Sequence, residues 1–130
     1  MHKYTDIVLK KCIGLKNGEN FLIVTDSKLY GISKIFFECA KLATENVKLI
    51  MIPIPNVHGA EPGKNVAEEM LKYDAELLIT TKSLSHTNAR INASKKGIRI
   101  VTMPGITKEI LERAIDIDYG KLMLVHKKLG

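Results

Sequence analysis

Apolar positions along the chain fall into two alternating kinds of pattern. One is a run of four to six residues that are mostly apolar, as in Phe21–Val24, Val47–Ile52, Leu77–Thr80 and Ile98–Met103. The other is a helical recurrence, with apolar residues three or four apart and charged residues between them. It covers Tyr4–Leu15, with Ile7, Val8, Cys12 and Leu15 in phase. It returns after Asp26, where Leu29, Ile32, Ile35, Phe36, Cys39, Ala40 and Ala43 share a face opposite lysines. The pattern predicts a helix, then strand and helix in alternation. Asn46 reads as a left-handed stop to the second helix, and Asn65 with Glu68 as a capping box opening a third that runs to about Tyr73. A fourth helix ends at Lys95-Lys96-Gly97, where cations suit the C-terminal carbonyls and glycine suits the cap. Thr107 reads as the cap of a fifth helix over Lys108–Ile115. The tail from Asp118 to Leu129 reads as a last helix or strand.

Strands without a polar alternation are covered on both faces, and helices between them require parallel pairing. The expected fold is therefore α/β: a three-layer, Rossmann-like or flavodoxin-like arrangement. A mainly parallel sheet of about four strands carries helices on both faces, and residues 1–130 form one domain. In such a sheet every strand-to-helix turn lies along one edge. Thr25-Asp26-Ser27, the Pro53–Gly63 loop, Thr80–Arg90 and Met103–Thr107 are thus expected to meet in space.

The most chemical of these turns is Thr80–Arg90, TTKSLSHTNAR. A buried strand that opens into many hydrogen-bonding groups and then a helix is a common ligand position in open α/β sheets. Lys82 and Arg90 are suited to an anion, with Thr81, the hydroxyls of Ser83, Ser85 and Thr87, and backbone amides completing a cradle. The bland alternative is that the hydroxyls cap the fourth helix and Lys82 is solvated. His86 lies in the same segment, Pro104, Gly105 and Thr107 in the next turn, and His58 and Glu61 in the proline-rich loop. Neither GxGxxG nor GxxxxGK[ST] occurs, so a nucleotide cofactor is disfavoured. His58 and His86 match no metal-ligand spacing, and no metal is expected in this chain. Ser83 or Ser85 beside His86 lacks a GxSxG turn, which argues against a serine hydrolase.

Composition narrows the classes further. The chain has 130 residues, 45% hydrophobic and 26% charged, with no Trp. The net charge of +6 comes from 20 Lys and Arg against 14 Asp and Glu. The lysines are spread over most elements instead of being interleaved with arginine and aromatics on one face, so nucleic acid is not the expected partner. Cys12 and Cys39 form no CxxC motif and read as small buried hydrophobes in a reducing compartment. No apolar run reaches the length of a membrane span, and no signal peptide is read at the start. A cytoplasmic protein is expected.

Three segments together carry a resemblance: VHGAEP at Val57–Pro62, TTKSLSHTNAR at Thr80–Arg90 and TMPGIT at Thr102–Thr107. Their order and approximate spacing resemble the amino-terminal region of the aminopeptidase T and aminopeptidase S family. These are thermophilic-type metallo-aminopeptidases, often leucyl aminopeptidase-like, with archaeal members. The likeness runs from about Asn20 to Asp118. It implies an amino-terminal α/β domain of a longer hydrolase, packed on a catalytic domain of the same polypeptide or on a second subunit, with a homodimer as one form of assembly. In the family a divalent metal site (zinc, cobalt or manganese) belongs to a later part of the sequence. None of its ligands has a counterpart here, so no catalytic residue is implied in this chain. Two other readings stay open: a stand-alone module binding an anionic ligand at Thr80–Arg90, and a self-associating assembly domain.

Overall fold

A computed structural model of the chain describes residues 3–54, 60–84, 86–107 and 109–111. His58, Ser85, Lys108 and the tail expected to form a last element lie outside the described residues. The described elements are α1 (Lys3–Asp6), continued by a π-helical stretch (Ile7–Ile13), β1 (Phe21–Asp26), α2 (Tyr30–Ala43), β2 (Val47–Ile52), α3 (Lys64–Glu69), β3 (Ala75–Ile79), α4 (Asn88–Lys95) and β4 (Arg99–Thr102). The four strands form one sheet in the order β2-β1-β3-β4, every pairing parallel. Helices cover both faces, so the fold is the three-layer, Rossmann-like α/β arrangement the apolar runs require.

Side chains alternate across the sheet and split the core in two. On one face Phe21, Ile23, Leu77 and Ile79 pack with Phe36 and Ala40 of α2 and with Val8 and Ile13 of the first helix. On the other, Leu22, Val24, Leu78 and Ile100 pack with Met70 and with Ala89 and Ala93 of α4. β1 and β3 are buried along their whole length because they are central. β2 is only partly buried, as its position at the end of the strand order dictates.

The structure corrects several local expectations. The first helix is not α throughout: the buried Tyr4, Val8, Leu9 and Ile13 recur every four to five residues. The wider turn of a π-helix keeps such a stripe on one face better than the α period. It ends at Gly14, whose φ of 69° is left-handed. Asn46 is not the stop of α2. No non-glycine described residue has positive φ, and the helix ends instead at an extended Thr44, whose hydroxyl donates to the Glu19 carbonyl. The Asn65–Glu68 capping box does not form, because α3 starts one residue earlier, behind Gly63, and stops at Glu69. β3 begins at Ala75 because its ladder with β1 pairs Phe21 with Ala75, which takes Glu76 into the sheet. The two later caps are as expected: Gly97, with φ 96°, follows α4, and Thr107 Oγ1 accepts from the Ile110 amide.

At the edge where strands begin, Arg99 joins β4 to the end of the first helix. Its guanidinium donates to the carbonyls of Ile13 and Gly14 and to both carboxylate oxygens of Glu19, at 2.6 and 3.0 Å. This partnership holds the Glu19 carboxyl below the usual range, Arg99's hydrogen bond being the largest cause.

Candidate functional site

β1 is followed by a crossover to β2 on one side, and the chain then returns past β1 to β3 on the other. Loops leaving the ends of β1 and β3 therefore diverge, and the crevice between them is where open α/β sheets bind ligands. In this chain the crevice is bridged by a side chain. Asp26, the last residue of β1, is fully buried. Its Oδ1 accepts from the amides of Lys28 and Leu29 at 3.1 Å each, and its Oδ2 accepts from the Thr81 amide at 2.6 Å. The first two bonds turn the chain into α2. The third ties that turn to the start of the Thr80–Arg90 segment, 55 residues on. Beneath it, the Ser33 hydroxyl of α2 donates to Thr25 Oγ1 at 2.7 Å, so the polar end of β1 is satisfied from its own helix.

Thr80 is buried and its hydroxyl donates to the Lys82 carbonyl at 2.6 Å, which bends the backbone out of the strand. Its own carbonyl accepts from the Gly105 amide at 2.8 Å. Gly105 has φ 62°, and a Cβ there would approach the Thr81 carbonyl only to 3.8 Å; backbone handedness, not lack of space, favours glycine. Pro104 and Gly105 thus lie against Thr80 and Thr81, as one shared edge predicts.

The start of α4 is the natural anion site of the segment, since its first amides lack helical partners. Those amides are taken by the protein itself. Thr87 is the N-cap; its Oγ1 accepts from the Arg90 amide and donates to the Leu84 carbonyl. The Glu61 carboxylate straddles the helix end, accepting from Asn88 at 2.8 Å and from Ala89 at 3.2 Å. A negative group at this position also faces the positive end of the helix dipole. Arg90 donates to Ser94 one turn further along α4. Thr81, Lys82 and Ser83 are half-buried, His86 is exposed, and Thr107 is engaged as a cap.

Of the residues singled out from the sequence, the structure joins Glu61 to the start of α4 and Gly105 to Thr80, and it adds Asp26, bonded to Thr81, as the central one. Asp26 had a legible signal: an aspartate just after an apolar run, followed by small and polar residues, is an Asx-turn pattern. Its third bond, to Thr81, had none. All four strand-end segments meet through such bonds: Asp26 bonds Thr81, Glu61 bonds α4's first turn, and Gly105 bonds Thr80. Among the described residues no group of three or more His, Cys, Asp or Glu side chains is placed to hold a metal ion. No helix of the described residues is long and apolar enough to cross a membrane.

No protein-family model matches the chain, and no curated protein matches it. Among solved structures it is similar to a Bacillus thuringiensis protein assigned as an NADPH:quinone reductase, with 12% identity and a TM-score of 0.42. That likeness covers 96% of this chain and 47% of the other, so the chain spans about half the length of that protein.

Proposed function

We propose that this chain is the non-catalytic amino-terminal α/β domain of an aminopeptidase T-like metallopeptidase, and that its strand-end edge is the face that meets the catalytic part or a second subunit. The observation that carries this reading is the closure of that edge by the chain's own carboxylates. Asp26 and Glu61 occupy the amides that a phosphate or nucleotide would need. Glu61, Thr80, Asn88, Ala89 and Gly105, which belong to the segments that carry the family resemblance, are joined by hydrogen bonds. A polar edge whose turn and helix-end amides are already taken is better suited to a protein contact than to anion capture. Metal chemistry on this reading belongs to residues outside this chain, and a cytoplasmic location accords with it.

The rival reading, an anion-binding module, requires the ligand to displace Glu61 from α4. Inorganic phosphate is therefore expected to leave the melting temperature of the wild-type chain unchanged. The purified chain is expected not to hydrolyse a leucyl chromogenic substrate with zinc, cobalt or manganese added. The native gene product is expected to exceed 14.5 kDa, and Lys82→Ala with Arg90→Ala to weaken its assembly by sedimentation without unfolding it. Turnover by the isolated chain, or a native product of 14.5 kDa, would overturn the proposal.

A further inference from the structure

Glu76 sits in β3, between β1 and β4, with no exposed surface. Neither of its carboxylate oxygens has a hydrogen-bond partner among the described residues. In register it stands beside Leu22 on one side and Ile100 on the other. Alternation puts it on the face of Leu78, under α3 and α4.

Tyr73 packs on this face and feels Glu76, its hydroxyl pushed up to about 12 by burial first, then by Glu69 and by Glu76; the other charged and titratable groups of the surrounding elements are engaged elsewhere or exposed. Glu69, at the end of α3, takes the Tyr73 hydroxyl and pairs with Lys48 of β2 and with Lys72. Asp74 accepts from the Asn20 amide, and Lys96 donates to the Leu71 carbonyl. Arg90 bonds Ser94, and Lys64, Glu68 and Lys95 are at least partly exposed. Arg99 is committed to Glu19. Burial among aliphatic side chains favours the neutral carboxyl, which is pushed up to about 8.

The cover over this face is thin. Within α3 no residue is fully buried, and α4 buries only Ala89 and Ala93. It is fastened by Glu61 at the start of α4 and by Lys96 just past its end. The opposite face is held by large side chains such as Phe21, Phe36 and Leu77.

We propose that Glu76 makes the α3–α4 cover a proton-dependent latch, shut over a neutral carboxyl and opened as that carboxyl ionises into water. Each opening releases one proton to solvent. A glutamate in water titrates near 4.3, and the shut form near 8. The opening constant therefore climbs about tenfold per pH unit between about pH 5 and about pH 8, then levels off.

Hydrogen exchange of the full chain, followed by mass spectrometry from pH 5.5 to 8.5 with intrinsic rates divided out, tests the latch. Protection in 64–69 and 88–95, the cover itself, is expected to fall about tenfold per pH unit in the wild type. It should be nearly independent of pH in Glu76→Gln, or in Glu76→Leu if the glutamine variant does not fold. A flat wild-type profile, or the same slope in the variants, would overturn the proposal. So would protection in 64–69 and 88–95 as strong as that in 21–26 and 30–43 at every pH, since the opening is then global unfolding and not a latch.

Discussion

Replacing Asp26 by asparagine perturbs the centre of the candidate site with almost no change of shape. The carboxylate accepts three amide bonds, two on Oδ1 and one on Oδ2. An amide has only one oxygen. If that oxygen keeps Lys28 and Leu29, the NH2 group faces the Thr81 amide, donor against donor. The bond from Thr81, about 1.5–3 kcal/mol as a hydrogen bond to a charged group, is then lost. The remaining two weaken because the acceptor is neutral. Burying a neutral amide in place of a charge offsets part of this. The expected net loss is about 3 kcal/mol, or roughly 10 °C in melting temperature for a domain of this size. Because the chain has no Trp, urea melts read by far-UV circular dichroism are the suitable assay. A midpoint within about 0.5 kcal/mol of wild type would refute the claim that Asp26 binds the β1 and β3 loops together.

Three other outcomes are expected. Glu61→Ala removes a cap from α4 and should destabilise by about 1 kcal/mol; an unchanged thermal melt would mean the carboxylate does not hold the helix end. Arg99→Ala should destabilise by about 1–2 kcal/mol, and Arg99→Lys should restore little of it, because lysine lacks the planar fork that serves Glu19 and two carbonyls together; full rescue by lysine in a urea melt would contradict this. Stability should also pass through a maximum with pH. The carboxyls of Glu19 and Glu69 are held low, Glu69 at about 2 by Lys48 first and by Tyr73 and Lys72. Their contribution is present above an unfolded value near 4.3 and lost as pH falls through the folded values. Glu76 acts with the opposite sign, since its native form holds a proton that the unfolded form releases, so stability declines from about pH 5 to about pH 8. Urea midpoints that rise steadily over that upper range would contradict the assignment.

The sequence by itself determined the layer structure. Runs such as Phe21–Val24 and Leu77–Ile79 contain no polar alternation, so they had to be central strands covered on both sides. Local chemistry also determined the end of α4 at Gly97 and the cap at Thr107, because a left-handed residue or a capping hydroxyl acts within three or four positions. The shared edge followed from parallel topology alone. Only the tertiary structure decided what each polar residue does there. Glu61 read as a candidate in the proline-rich loop with no partner assigned, and its partners Asn88 and Ala89 lie 27 and 28 residues away. Thr81 is 55 residues from Asp26. Glu76, in the sequence a charge before an apolar run, becomes a buried carboxyl because the ladder with β1 starts two residues before that run. Such pairings depend on crossover paths and strand register, quantities that no local window of the chain contains.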